Sequence, residues 1–396
     1  MSHKGFLFSL ASVAILGISG QQTWAITESE RETKAVMNQV YESYINIVPF
    51  IYSNVDLDKK NSEVLLGHLN NISEAFKKAK HVDMLQIPGF KPSLDTINIH
   101  LKETIDSLNA KNTIFAKARL QAMTTLCMNC HGQIGESVAK NAFGDSLYKA
   151  NRQGFASDFE YANYLFLVRR YTEAQTFYDR ALSDALAKNQ KGSEGQILDD
   201  KVVNGEIFSS LRRLLAINVK ISFKPEKAIK ILEKYQANKS LSKLTRNDLD
   251  SWLVGLKSVK NLKLNKFTTA KSFIDTYLTK FENDKEALVT GKEDITLLMA
   301  SGFLSKYLSE KKATDETPEI LYWLSIAERR LSHSYFFSLS DLYLKECIAQ
   351  YPASPWAKKC FAEYEEALTF GYTGSAGTEI PREEKRELDR LRSLLK

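Results

Sequence analysis

The residues with the clearest chemical signature form one short run, Cys127-Met128-Asn129-Cys130-His131. Two thiols three positions apart lie on nearly the same face of a helix, so both can add to the two vinyl groups of one porphyrin. The imidazole that follows directly is carried under the ring, where it can bind the iron. The spacing therefore predicts one covalently attached haem c, with Cys127 and Cys130 as thioether residues and His131 as the proximal iron ligand.

Two other uses of a C-x-x-C pair fit this sequence less well. A redox dithiol normally follows a strand and opens a helix, whereas this pair ends a long helical segment that begins near Thr113. A zinc site needs a second pair of ligands, but the remaining cysteines, Cys347 and Cys360, stand far along the chain. We therefore favour haem attachment, and the remaining alternative is an accidental motif in a scaffold protein.

The N-terminus has the features of a secretory signal peptide. Lys4 precedes an apolar run over residues 5–18, and Thr23 and Ala25 place small side chains where a signal peptidase cleaves. The run is shorter than the roughly 18 apolar residues that a membrane span requires. We therefore expect residues 1–25 to be removed and the mature chain to be periplasmic or otherwise exported.

The charge pattern and the absence of common catalytic motifs limit the classes of function that the sequence supports. The formal net charge is +6, and the basic residues are scattered among acidic ones rather than clustered in the stripe of a nucleic-acid-binding protein. The sequence contains no nucleophile elbow, phosphate-binding loop or H-E-x-x-H motif. We therefore predict that the protein binds no nucleic acid and is not an enzyme.

Apolar periodicity divides the first part of the mature chain into four helices. The predicted helices span residues 28–53, 62–80 and 93–110, and a fourth begins at Thr113. In each of them apolar residues recur three and four positions apart, which makes one face of the helix apolar. Four such helices joined by short loops bury these faces most simply as an antiparallel bundle, so residues 26–140 are predicted to form a four-helix haem bundle.

This domain resembles the class II c-type cytochromes, the cytochrome c′ superfamily. The resemblance covers roughly a third of the chain and rests on the four-helix pattern with C-x-x-C-H in the last helix. It implies that Cys127 and Cys130 carry the thioethers and that His131 is the proximal ligand. Low-spin members take their sixth iron ligand from a Met in the first turns of helix one, and Met37 stands at that place. High-spin members leave that face of the iron open and bind small gases.

The residues themselves leave the sixth ligand open. Met37 lies on the apolar face of helix one, where a Met more often fills the core than binds a metal. His68 and His100 each stand one position off an apolar face and are the alternatives for a second imidazole ligand. Met37 is thus a possible sixth ligand, with packing as the competing interpretation.

After a weakly patterned linker, residues 141–158, the pattern changes to helical hairpins. Residues 170–182 resemble the second helix of a tetratricopeptide repeat (TPR), and similar helices recur around Ala228 and Ala270. The recurrences are wider than the roughly 34 residues of the ideal repeat, so residues 159–396 are predicted to form a degenerate TPR-like α-solenoid. Such a solenoid usually binds a segment of another protein, and we expect it to dock onto a redox partner protein or an envelope complex. The alternatives are that it only supports the haem domain or builds a homo-oligomer.

The last two cysteines are candidates for a disulfide. Cys347 and Cys360 flank a joint between two helices at Tyr351-Pro352, and antiparallel helices can bring them together. An exported protein matures in an oxidising compartment, where such a pair is stable. The alternative is two buried free thiols.

These patterns combine into one prediction. The chain is expected to be all-α, with an antiparallel four-helix haem bundle followed by a TPR-like α-solenoid. It is expected to act as an exported monohaem c-type cytochrome in one-electron transfer. A second interpretation is a five-coordinate haem protein that binds or senses gases, and it is distinguished by whether Met37 coordinates the iron. A third is a TPR scaffold with a structural haem.

Overall fold

The chain is almost entirely helical in a computed structural model, with fifteen α-helices, short 3₁₀ and π segments and one two-stranded hairpin in the ranges that are described. The predicted all-α class is confirmed. None of the helices described is long and apolar enough to cross a membrane. The predicted signal peptide, residues 1–25, lies outside the described residues. The structure describes residues 28–52, 55–79, 81–133, 150–191, 201–282, 291–310, 314–331, 335, 338–375 and 377–395.

Four helices of similar length form the first part of the structure. They are α1 (Glu28–Tyr52), α2 (Lys59–Ala79), α3 (Phe90–Asn109) and α4 (Thr113–His131). Helix α1 contacts α2 and α4, and α3 also contacts α2 and α4. Their apolar faces meet in a buried core, as the periodicity predicts. Fully buried members of this core include Ile47, Ile51, Leu65, Leu69, Leu101 and Leu120.

The start of α3 differs from the prediction. Lys91-Pro92 were predicted to break the chain before a helix at Ser93, but α3 begins at Phe90 and contains Pro92 in its first turn. Proline is tolerated there because the backbone N–H groups of a first turn have no partner within the helix. Gly89 has a φ of 92°, which lets the chain turn sharply into the helix.

The second part of the structure is a longer series of helices. Helices that follow one another along the chain contact each other, apart from the helix that ends at Val259, whose main contact further along the chain is with the helix that begins at Gly291. A short 3₁₀ turn at Asp83–Leu85 lies between α2 and α3, and further along the chain such turns lie at Arg152–Gly154, Leu264–Lys266 and Thr279–Phe281. A π-helical segment, Ala216–Ile221, extends the helix that ends at Leu215. The helices are α5 (Asp158–Leu167), α6 (Tyr171–Lys191), α7 (Lys201–Leu215), α8 (Pro225–Gln236), α9 (Lys243–Val259), α10 (Ala270–Tyr277), α11 (Gly291–Glu310), α12 (Thr317–Leu331), α13 (Ser340–Gln350), α14 (Pro355–Gly371) and α15 (Arg382–Leu394). Between α14 and α15, strands β1 (Thr373–Gly374) and β2 (Gly377–Thr378) pair antiparallel, with Thr373 opposite Thr378.

Small residues lie where these helices touch. Ala174, Ala228 and Ala270, the alanines of the repeat-like pattern, are all buried. Tyr178 is fully buried as well, and its hydroxyl donates to Asn163 Oδ1 at 2.6 Å, which joins α6 to α5. Small side chains allow two helices to approach closely. Close packing therefore explains why alanine recurs at these positions.

The cysteines of α13 and α14 are joined by a disulfide. Cys347 and Cys360 are both fully buried, and their Cα atoms lie 6.4 Å apart. The bond links two consecutive helices across the joint that the sequence places between them.

The π-helical segment packs against α11 at a glycine. An ideal Cβ built on Gly302 would overlap the backbone carbonyl oxygen of Lys220. The Lys220 ammonium is almost fully buried and lies 3.3 Å from Glu328 Oε1, which also accepts a hydrogen bond from Ser301 Oγ. The close approach at Gly302 therefore keeps Lys220 of the π-helical segment next to Glu328 of α12 and holds their buried ion pair in place.

We predict that Gly302→Ala destabilises the protein by about 3 kcal/mol, because the backbone of Lys220 has to move and the buried ion pair moves with it. Gly67→Ala is the matched control, since nothing lies within 4 Å of a Cβ built on this exposed glycine of α2. The control should raise the free energy of unfolding by up to about 1 kcal/mol. Chemical denaturation measures both variants, and equal stabilities would contradict the packing described.

Helices from both ends of the second part contact the first four helices. Helix α5 contacts α4, and α13 contacts α3. Just after α4, Gln133 Nε2 donates to Ser93 Oγ at 2.9 Å and to the Tyr343 hydroxyl at 3.1 Å. Glu346 Oε2 accepts from the backbone N–H of Gly89 at 3.5 Å. The two parts of the chain are thus packed together at two places far apart in sequence.

We predict a pH-dependent stability from Glu346 at this contact. Burial raises the pKa of its carboxyl group to about 7, against smaller opposing effects of Gly89 N–H and Lys91. A carboxyl group with a raised folded-state pKa contributes stability below its unfolded pKa, and this contribution is lost as the pH rises through the folded pKa. The free energy of unfolding should therefore fall by up to about 3 kcal/mol as the pH rises from about 4.5 to about 7.

Glu346→Gln should remove this component of the pH dependence, because the amide has nearly the same shape and does not titrate. Glu63→Gln, at an exposed position of α2, serves as the control and should follow the wild type. Urea denaturation at a series of pH values measures the difference. A pH profile of Glu346→Gln that is parallel to that of the wild type would refute the assignment.

Candidate functional site

Helix α4 presents the C-x-x-C-H run at its C-terminal end. Asn112 caps the start of the helix, where its Oδ1 accepts from the N–H of Phe115 at 3.3 Å. The helix continues to His131, so Cys127 and Cys130 stand three residues apart on nearly one face. Both thiols are unpaired in the structure.

The predicted site residues line one apolar pocket. Cys127, Cys130 and His131 meet Met37 of α1 there, although Met37 is far from them in sequence. The pocket contains about 690 Å³ of space that protein atoms do not fill, and part of it opens to solvent. Its other walls come from α1, α2, α3 and the α5 end: Val40, Tyr41, Tyr44, Phe76, Ile97, Tyr164, Leu167 and Val168.

The His131 ring is oriented by the second part of the chain. Its Nδ1 lies 2.5 Å from the backbone carbonyl oxygen of Leu167, the last residue of α5. A carbonyl oxygen only accepts, so Nδ1 carries the proton and Nε2 keeps a free lone pair. The Tyr171 hydroxyl donates to the His131 carbonyl at 3.2 Å and so also ties α6 to the end of α4.

Burial keeps the imidazole neutral. The pKa of His131 is lowered to about 3, mainly by burial and also by the positive charge of Arg169, against the raising effect of the hydrogen bond to Leu167. A neutral imidazole with one lone pair is the form that binds a metal. The ring is therefore in the protonation state that iron ligation requires across the physiological pH range.

The two thiols are also held in their neutral form. Burial raises the pKa of Cys127 to about 12, with a further contribution from the neighbouring Cys130. Burial raises the pKa of Cys130 to about 11, and the charge of Arg169 acts in the opposite direction. In the folded chain these side chains therefore behave as apolar wall residues rather than reactive thiolates.

We predict that both thiols are protected in the folded chain before any group is attached. At pH 8, alkylation should be roughly a hundredfold slower at Cys130 and roughly a thousandfold slower at Cys127 than in the denatured chain, because the thiolate fraction falls with the raised pKa. Mass spectrometry of iodoacetamide-treated samples measures the rates. Cys347 and Cys360 do not interfere, because their disulfide blocks them. Equal rates in the folded and denatured chain would show that the pocket is open.

The alternative histidine ligands lie elsewhere. His100 Nε2 is 2.6 Å from the backbone carbonyl oxygen of Arg119, and the ring faces a different cavity, between α3, α4 and the α12 to α13 region. Arg119 itself pairs with Glu103 on that side. His68 is half-buried on α2 and does not line the pocket. Of the possible sixth ligands considered from the sequence, Met37 is the residue that the fold brings to the pocket.

Several pocket residues could not be identified from the sequence. The Tyr41 and Tyr164 hydroxyls are hydrogen-bonded at 2.8 Å and join α1 to α5 at the pocket wall. Tyr41 stands one turn after Met37, which is a usable signal, but Tyr164 and Leu167 belong to the predicted repeat domain. Contacts between domains leave no periodic pattern in the sequence. The sequence alone therefore does not place Tyr164 and Leu167 at the pocket.

The residue types that line the pocket are compatible with a covalent haem c. Two thiols, a neutral imidazole and otherwise apolar or phenolic walls match the groups that attach, ligate and enclose a porphyrin. In the described ranges, no three His, Cys, Asp or Glu side chains are placed to hold a metal ion by themselves.

Comparisons with known proteins give no match: no family model fits the chain, and no curated protein or solved structure is significantly similar to it. The site is therefore interpreted from its own residues and geometry.

Proposed function

We propose that this protein is an exported monohaem c-type cytochrome that transfers single electrons. The observation that carries the proposal is the meeting of Cys127, Cys130, His131 and Met37 in one apolar pocket. The three motif residues are neighbours on α4, but Met37 lies on another helix, and its presence there follows from the fold alone. The same four residues are the attachment and ligand set expected of a low-spin haem c.

We also propose that α1 to α4 form a cytochrome c′-like antiparallel bundle and that α5 to α15 form a TPR-like solenoid. The pairwise contacts among α1 to α4 support the first assignment. The contacts between neighbouring helices from α5 onward, together with the buried alanines Ala174, Ala228 and Ala270, support the second.

Each pocket residue has a role in this proposal. The bound haem would supply one-electron iron chemistry. Cys127 and Cys130 would hold it through thioethers, His131 would bind its iron through Nε2, and Met37 would be the further ligand. The apolar walls would exclude water and disfavour the more charged ferric state, which would raise the reduction potential.

The proposed partner is a redox protein or an envelope complex in the periplasm. The repeat-like helices would dock on it, because stacked helical pairs present an extended surface for a segment of another protein. Because α5 orients His131, a partner bound on these helices would contact the same structural unit that holds the proximal ligand.

A five-coordinate gas-binding protein is the second candidate. The observation in its favour is the Tyr41 and Tyr164 pair in the pocket wall, because phenol groups there offer hydrogen-bond donors to a small bound molecule. In this case Met37 would only pack against the pocket.

The optical spectrum separates the two candidates. Protein exported with the haem-attachment machinery present should show a low-spin spectrum with a sulfur-to-iron band, and Met37→Ala should abolish the band because the sixth ligand is lost. Val40→Ala is the control, since Val40 lines the same pocket from the same helix but cannot bind iron. A high-spin wild-type spectrum that shifts when carbon monoxide is added would overturn electron transfer in favour of gas binding.

A further inference from the structure

A second cavity lies between the first four helices and the later ones. Its walls come from α3 and α4 on one side and from the end of α12 and the start of α13 on the other. It contains about 1270 Å³ of space that protein atoms do not fill, and part of it opens to solvent. Thr96 and Leu126 line this cavity, whereas their neighbours Ile97 and Cys127 line the first pocket. The second cavity is therefore separate from the proposed haem site.

Each wall of this cavity carries one guanidinium group beside one carboxylate. Arg119 of α4 pairs with Glu103 of α3. On the other wall, Arg329 Nη2 lies 3.5 Å from Asp341 Oδ1. The side chains of Glu103 and Asp341 are 50% and 61% exposed. Ion pairs with such exposed carboxylates are weak, so a ligand can compete for either partner.

Both guanidinium groups keep a buried nitrogen without a hydrogen-bond acceptor. Arg119 Nε and Arg329 Nη2 have no such partner among the residues that the structure describes, because the contact to Asp341 is too long for a good hydrogen bond. The Arg329 group is fixed in place, since its Nε donates to Ser340 Oγ at 3.1 Å and its Nη1 to Glu363 Oε1 at 2.6 Å. A buried donor without an acceptor is unfavourable, so both nitrogens favour a ligand that brings acceptor oxygens.

His100 adds an acceptor to the same cavity. Its side chain lines the cavity and is almost fully buried. Nε2 lies 2.6 Å from the Arg119 carbonyl oxygen, so Nε2 carries the proton and Nδ1 keeps a lone pair. Burial lowers the pKa of His100, against the raising effect of this hydrogen bond. The ring is therefore neutral, and Nδ1 can accept from an N–H group of a ligand.

The charges on the cavity walls are balanced. Two guanidinium groups face two carboxylates, so a dianion such as phosphate would meet repulsion as well as attraction. Aliphatic side chains supply much of the remaining wall: Ile99, Leu126, Leu339 and Leu342. An apolar wall with a few convergent polar groups is the usual form of a small-molecule site. A ligand that suits this wall carries both charges and an aliphatic group.

We infer that this cavity binds an apolar α-amino acid or a short apolar peptide in its zwitterionic form. The carboxylate accepts from Arg119 Nε or Arg329 Nη2, in charge-assisted hydrogen bonds. The ammonium group donates to His100 Nδ1 and to Glu103 or Asp341. The aliphatic side chain packs against the leucines of the wall. This inference does not depend on the proposed haem function, because the two cavities share no lining residue in the described part of the chain.

Isothermal titration calorimetry of the full-length exported protein tests the ligand class. Leucine or leucyl-leucine should bind saturably. Isocaproate lacks the ammonium group of leucine and isoamylamine lacks its carboxylate, so each should bind at least about tenfold more weakly. Binding of leucine assigns a free amino acid, and binding of leucyl-leucine alone assigns a peptide.

Three variants test the place of binding. Arg119→Gln should weaken binding by about tenfold, because an amide does not replace the charged donor. Lys117→Gln is the matched control, since it removes a positive charge from the same helix but does not line the cavity, and it should bind like the wild type. Ile99→Trp should abolish binding, because the indole occupies the cavity, and the fold tolerates it because Ile99 is 55% exposed. Thermal unfolding curves confirm that each variant is folded.

The absence of saturable heat with leucine and leucyl-leucine at millimolar concentration would overturn the inference. Equal affinities for leucine and isocaproate would overturn the zwitterionic class. Unchanged binding in both Arg119→Gln and Ile99→Trp would place the ligand elsewhere and overturn the site. A wild-type protein without covalent haem would overturn the proposed function alone.

Discussion

The hydrogen bond between His131 Nδ1 and the Leu167 carbonyl is the interaction on which the candidate site depends. It determines which ring nitrogen carries the proton, and it directs the other nitrogen into the pocket. Without it, a histidine at the end of a helix is free to rotate. Because Leu167 belongs to α5, the first four helices do not build this site by themselves.

The pocket and the repeat-like helices therefore form one structural unit. Tyr164, Leu167 and Val168 close the pocket from α5 and the residue after it, and the Tyr171 hydroxyl ties α6 to the His131 backbone. On the other side, Gln133 donates to Tyr343 of α13, and Glu346 of α13 accepts from Gly89 N–H just before α3, so the contact is made at two places. A loosely tethered haem domain would lack such contacts. In the proposed function, electron transfer and partner docking thus occur on one packed body.

Local sequence patterns predict the helices and the C-x-x-C-H motif. The contacts between residues far apart in sequence could be identified only in the folded structure. The periodicity of α1 and α2 predicts both helices, and C-x-x-C-H predicts the group of residues at the end of α4. The predicted start of α3 was wrong because Pro92 was interpreted as a helix-breaking residue, although the first turn of a helix tolerates proline. The role of Leu167 depends on its backbone carbonyl group. Every residue type has this group, so the sequence gives no sign of the role. The left-handed conformation of Arg169, with a φ of 61°, was not predicted either, because it follows from the helix cap rather than from the preference of the residue.

The intact mass of the exported, denatured protein tests the central claim most directly. The wild-type chain should carry the mass of one haem through denaturation, because thioether bonds do not depend on the fold. The Cys127→Ala/Cys130→Ala double variant, expressed in parallel, should have the mass of the polypeptide alone. A wild-type chain with only the polypeptide mass, when a known c-type cytochrome matures in the same cells, would contradict the account.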